Sequence, residues 1–155
     1  MKADYINPFL GACSKIVNVV LGEDLTRGAL SVRESHELSD ILVIIIGIKG
    51  DFVGKVTLCF KQEIAFNIAS NMMGERISEL DEMAKSALGE LANMILGRAS
   101  TVFSNKGINV SISPPTIVQA AKLFITPAYG RIINIEMQLG SGDVFDVEVE
   151  IEGKE

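Results

Sequence analysis

Residues 41–48, ILVIIIGI, form the longest apolar run in the sequence and limit its fold more than any other stretch. A membrane-spanning helix needs about 20 apolar residues, so this run is too short to cross a bilayer. Its richness in isoleucine and valine favours a strand, and the unbroken apolar character requires cover on both faces. The run, within a strand at 40–49, is therefore expected at the centre of a sheet. Neighbouring stretches at 29–37 and 52–60 (FVGKVTLCF) also have strand composition, the second joined to the run through Lys49-Gly50-Asp51.

Helical periodicity appears on either side. Ile6, Phe9, Leu10, Cys13, Ile16, Val17 and Val20 recur at steps of three and four, and Pro8 is tolerable near a first turn. A shorter helix over 62–73 is closed by Gly74. A second long helix is expected to start at Ser78, where Ser-Glu-Leu-Asp has the outline of a capping box, and to run to about Ser104 before Gly107. Strands follow near 108–113, 131–140 and 143–152, with a short element between Thr116 and Ala121. In the last pair, Ile133, Ile135, Met137 and Leu139 oppose Phe145, Val147, Val149 and Ile151, while Asn134, Glu136, Gln138, Asp146, Glu148 and Glu150 alternate outward around Gly140-Ser141-Gly142-Asp143. That pattern predicts a hairpin with one wet face. The order of elements gives two similar halves, each with a long helix on antiparallel strands. With no linker or low-complexity segment, residues 1–155 read as one α+β domain: an antiparallel-rich sheet on two long helices in a pseudo-two-fold arrangement.

Composition removes several classes of function. The net charge is −6, and no cluster of Lys and Arg is present to displace counterions, which argues against a nucleic-acid partner. The start MKADYINPFLGACSKIVNVVLGED lacks the basic opening and unbroken apolar core of a secretion signal, and no segment can span a membrane. Cys13 and Cys59 sit in apolar stretches without CxxC spacing and read as buried free thiols. Together these features place the chain in the cytoplasm.

Within KSALGELANMILGRAS (85–100), Ser86, Glu90 and Asn93 fall within roughly 60° of one another on the helix wheel. Glu82, Gly97, Ser100 and Ser104 extend the stripe, and Ala84, Leu88, Leu91, Ile95, Ala99 and Val102 occupy the opposite side. A solvated face is the ordinary explanation. Yet Asn and Gly are weak helix formers, and interior Gly89 and Gly97 cost about 1 kcal/mol each relative to Ala, a composition suited to letting another surface come close. A carboxylate and a carboxamide three residues apart project side by side. Nothing nearby makes them a self-sufficient enzyme. The one histidine, His36, is in a strand and reads as a surface residue, and no Cys/His set has metal-ligand spacing.

The pattern Ser86-x-x-x-Glu90-x-x-Asn93, on a long helix followed by Pro114-Pro115, resembles the CheC/CheX/FliY family of chemotaxis phosphatases. The resemblance covers nearly the whole chain in element order, and its specific part is residues 86–93 with the proline. It implies hydrolysis of the phospho-aspartate of the response regulator CheY, with Asn93 orienting the attacking water, Glu90 pairing with a regulator lysine, and Ser86 in a subsidiary place. A supporting proline is implied at Pro115 or at Pro114. The family needs no cofactor of its own, because the regulator binds the Mg²⁺, and it implies a homodimer, for which the long last strands are the expected seam. In the first helix, where two-site relatives repeat the motif, Gly11, Lys15 and Asn18 stand instead. Lys15 would repel a partner lysine, so one working site per chain is expected. Two rival readings remain: a non-catalytic adaptor for a phosphorylated regulator or flagellar switch, and a small-molecule hydrolase, for which the nucleophile and the phosphate-cradling loop are missing.

Overall fold

A computed structural model describes residues 2–153. The chain runs α1 (Lys2–Leu21), β1 (Leu25–Arg33), β2 (His36–Gly50), β3 (Gly54–Lys61), α2 (Gln62–Met73), α3 (Glu82–Asn105), β4 (Val110–Ile112), β5 (Thr116–Ile125), β6 (Ile132–Leu139) and β7 (Val144–Ile151). The strands form one antiparallel sheet in the order β1-β6-β7-β3-β2, with β4 and β5 both paired to the far side of β2. Exchanging the halves α1-β1-β2-β3 and α3-β5-β6-β7 maps β3 onto β7, β2 onto β6 and β1 onto β5, and these occupy mirrored places in that order. The expected pseudo-two-fold architecture is present.

The apolar run behaves as its composition requires. Leu42, Ile44, Ile46 and Ile48 join the core under the helices, while Ile41, Val43 and half-buried Ile45 pack with Cys59, Leu38, Val118 and Leu123 on the other side of the sheet. The last hairpin pairs Ile133 with Val149, Ile135 with Val147 and Met137 with Phe145, so the apolar residues of the two strands share a face as the alternation predicts. Both cysteines are buried. Desolvation pushes the Cys13 thiol up to about 12 and raises Cys59 as well.

Several sequence expectations are corrected. The cap of helix α3 lies three residues after Ser78: Asp81 is its N-cap, and its carboxylate accepts from the Ala84 amide at 2.9 Å. Just before Ser78 the chain is tied to the end of α2, since Ile77 is buried and its amide donates to Ser70 Oγ at 2.8 Å. The strand expected over 29–37 is two, broken at Glu34-Ser35, and the short element at 116–121 is a ten-residue strand. The hairpin does not have a wet second face, since Asn134, Glu148 and Glu150 are at most 3% exposed. Nor is it an edge: β6 is hydrogen-bonded to β1 and β7 to β3, so these strands cannot continue the sheet into a second chain.

The groups that cover this second face are polar partners from neighbouring strands and from the loop before β6. Arg33 Nη1 and His36 Nε2 lie 3.2 and 2.8 Å from Glu148 Oε2. Glu150 takes the amides of Ala128 and Tyr129 on Oε1 and Lys55 on Oε2. His36, read as a surface residue, is thus largely buried against Glu148. Burial raises the Glu148 pKa, and the neighbouring His36 and Arg33 oppose that rise.

Candidate functional site

Helix α3 is divided cleanly by burial. Ala84, Ala87, Leu88, Leu91, Ala92, Ile95, Leu96, Ala99 and Phe103 are buried, whereas Glu82, Ser86, Glu90, Asn93, Gly97 and Ser104 are exposed. The Asp81 cap fixes the start, and at the other end the Lys106 amide closes back onto the carbonyls of Val102 and Phe103. The Phe103 ring stands 5.4 Å from Phe9 of α1 and 5.6 Å from Phe52 of the β2–β3 link, so the inner face of α3 is locked to the rest of the fold.

Glu90 and Asn93 are held only by their backbone. Among the described residues neither side chain makes a hydrogen bond or ion pair within the chain, and Ser86 makes none either. At about 1.5 Å of rise per residue, Glu90 and Asn93 are offset by about 4.5 Å along the axis and point the same way. The one ion pair on this face, Lys85 with Glu82 at 3.1 Å, lies a turn earlier and is solvent-exposed. Beyond Asn93, an added Cβ at Gly97 would meet no atom within 4 Å, and the same is true at Gly89. The chain's own packing therefore does not explain either glycine.

The stripe projects and does not line a cleft. A hollow of about 640 Å³ bounded by Val32, Tyr129, Arg131, Ile133, Ile151 and Glu152 contains none of its residues, and neither do smaller hollows beside Asp40 and beside Asn7. Among the described residues no group of three His, Cys, Asp or Glu side chains is placed to hold a metal ion. A carboxylate and an amide on a ridge can act on a reacting group only when that group is brought to them on another molecule.

The structure brings Ser86, Glu90 and Asn93 onto one face and leaves the prolines off it. Pro114 is exposed and Pro115 half-buried in the link between β4 and β5, both of which run along β2. Ser113 still pairs with Gly47, through its amide and its hydroxyl, and Thr116 resumes opposite Ile45. Having no N–H, the prolines interrupt what would otherwise be one ladder.

On α1 the equivalent stripe is different in kind. Gly11, Lys15 and Asn18 are exposed, but the Asn18 amide donates to Asp24 Oδ1 at 3.3 Å and to the Glu23 carbonyl at 3.4 Å. Its carboxamide is occupied in closing the helix end. Among the described residues no helix is long and apolar enough to cross a membrane.

Comparison with known proteins identifies the family. The family model described as chemotaxis phosphatase CheX matches residues 42–137, a span that includes the stripe. The CheY-P phosphatase CheX of Thermotoga maritima is 33% identical over 152 residues, 97% of each chain. The crystal structure of a CheC-like superfamily protein from a Shewanella species superposes with a TM-score of 0.85 at 24% identity, covering 99% of this chain and 100% of that one. A chain of the CheX–CheY–BeF3–Mg²⁺ complex from Borrelia burgdorferi superposes at 0.80 with 24% identity, covering 96% and 98%. The chain belongs to the CheX family of chemotaxis phosphatases.

Proposed function

We propose that this protein hydrolyses the aspartyl phosphate of a CheY-type response regulator by setting the exposed face of α3 against the regulator's phosphorylated site. The observation that carries this reading is the pair Glu90 and Asn93, side by side on a projecting helix and without partners in the chain among the described residues. The Thermotoga relative, named a CheY-P phosphatase, supplies the substrate class.

The chemistry asks little more than this. An acyl phosphate is already activated, and phosphoryl transfer depends mainly on alignment and charge neutralisation. The Asn93 carbonyl accepts from a water and aims its oxygen at phosphorus, opposite the aspartyl oxygen. The new P–O bond forms as the bond to the aspartyl oxygen breaks, the carboxylate leaves with that electron pair, and both protons of the water end on inorganic phosphate. Glu90 pairs with a regulator lysine and sets the register of the helix, and Ser86 borders the same contact. Pro115 supports the shape of the β4–β5 link. Mg²⁺ belongs to the regulator, and this chain brings no cofactor. Because Asn18 is engaged and Lys15 has the wrong sign, α1 offers no second site.

Residues 1–155 act as one such domain, in the cytoplasm and as a homodimer. Support for the dimer comes from the edge strand β1, which is paired only with β6 and exposes Leu30 and Val32 by 60% and 53%. It replaces the last hairpin as the seam.

Two variants test the division of roles. Glu90→Ala is expected to weaken binding of phosphorylated regulator about tenfold, in line with roughly 1.4 kcal/mol for one lost charge pair at an interface. The effect should appear in KM and should shrink at high salt; a fall in kcat with unchanged KM would contradict the docking role. Gly97→Ala should raise the urea midpoint by the equivalent of about 1 kcal/mol, because the added methyl meets open space in a helix. If the regulator backbone closes over this turn, the same variant loses turnover while gaining stability.

A further inference from the structure

We infer that the contact between His36 and Glu148 is a proton-dependent clasp that fastens the β1–β2 turn to the outer face of the sheet. His36 opens β2 directly after the break at Glu34-Ser35, and Glu148 sits in the middle of β7, 1% exposed. Both ring nitrogens face oxygens. Nδ1 lies 3.0 Å from the Glu34 carbonyl, which can only accept, and Nε2 lies 2.8 Å from Glu148 Oε2. A neutral imidazole that donates its Nδ1–H to that carbonyl leaves the bare Nε2 lone pair facing the carboxylate. One additional proton, on the ring or on the carboxyl, removes the conflict.

The surroundings make that proton matter. The Nε2 contact is short but lies outside hydrogen-bond alignment, so its strength is mainly that of charge against charge. Glu148 Oε1 and the Asn134 Oδ1 of the directly opposed residue are buried without hydrogen-bond partners, which leaves the carboxylate dependent on what reaches Oε2. The other charged or titratable groups around the pair are Arg33 from β1, Asp146 from β7, and Lys55 and Cys59 from β3. Arg33 contacts Glu148 at 3.2 Å and Asp146 at 3.7 Å and keeps its charge throughout, so losing the proton loosens the turn without freeing it. The raised Glu148 pKa acts in the same direction, because burial penalises the bare carboxylate.

The sign of the effect follows. In the inferred clasp the two groups hold one proton between them, and burial of Glu148 favours keeping it; in the unfolded chain the groups are apart and nothing retains it. The native state then binds more protons than the unfolded state, and stability falls as pH rises. The contribution is lost as pH climbs through the titration of the pair, which belongs to both groups jointly.

The test uses the chain's single histidine, whose ring signals are unambiguous. Urea midpoints of the wild type and of His36→Gln, which keeps a donor but cannot titrate, are compared between about pH 6 and about pH 9. The clasp predicts a midpoint that falls with pH in the wild type and a decline that is absent in the variant. Ring-nitrogen and carboxyl-carbon NMR shifts of the wild type decide independently, even if the variant does not fold: at neutral pH they must locate one proton beyond a neutral ring and an ionised carboxylate. Parallel profiles in the two proteins, or a singly protonated ring beside an ionised Glu148, overturn the inference.

Discussion

Asn93→Ala is expected to remove phosphatase action while leaving the fold intact or slightly firmer. Asn93 is exposed, its side chain makes no contact that α3 needs among the described residues, and Ala is the better helix former. Its proposed role is alignment alone, and loss of alignment costs on the order of 10²-fold or more in rate. Binding of the phosphorylated regulator should change little, because the charge pair through Glu90 remains. Asn93→Asp sharpens the distinction between shape and charge. It preserves size but brings a negative charge towards phosphoryl oxygens, where two like charges about 4 Å apart repel by about 4 kcal/mol at an intermediate dielectric. It should therefore be as inactive as the alanine variant and also bind more weakly.

The second large effect concerns the support of the helix. Phe103 is fully buried and packs against Phe9 and Phe52, joining the end of α3 to α1 and to the β2–β3 link. Phe103→Ala removes a ring from all three elements and should destabilise the protein by about 3–5 kcal/mol, the usual cost of emptying such a site. The melting temperature should fall sharply. At low temperature, the molecules that remain folded should retain turnover, because Glu90 and Asn93 lie several turns earlier on the helix. A normal melting temperature in this variant would mean that the aromatic contacts do not anchor α3.

Much of this architecture was legible in the sequence, and the failures share a cause. Periodicity tells which side chains share a face, and it placed the stripe of α3, the buried run of β2 and the shared apolar face of the last hairpin correctly. It does not tell what lies opposite a face. Glu148 and Glu150 alternate outward as their spacing says, yet Arg33, His36, Lys55 and the 128–129 amides come from distant segments to cover them. Charged residues in strict alternation imply water only when the sheet has one covered side. Strand order escapes for the same reason: nothing within β6 and β7 records that β1 and β3 flank them. The edge strands were blurred because nearly every residue of β1 is exposed, which leaves no alternation to read, and Gln119, Ala120, Ala121 and Lys122 weaken the strand signal of β5.

At the site, the residue types were readable because the helix carries them on successive turns. What the sequence could not give is their freedom from other partners. Asn18 on α1 shows the difference, since it has the amide that the motif calls for and uses it on Asp24 and Glu23. Strand order also rules out the expected seam at β6–β7, since both strands are already paired on both sides.

The central claim is tested most directly by the lifetime of a phosphorylated CheY-type regulator with Mg²⁺, measured alone, with this protein, and with its Asn93→Ala variant. The predicted result is a lifetime shortened by the wild type and restored by the variant, with both proteins binding the regulator. Equal lifetimes in all three samples would contradict it: with binding retained, the chain would be an adaptor, and without binding, the exposed stripe of α3 would be a solvated face.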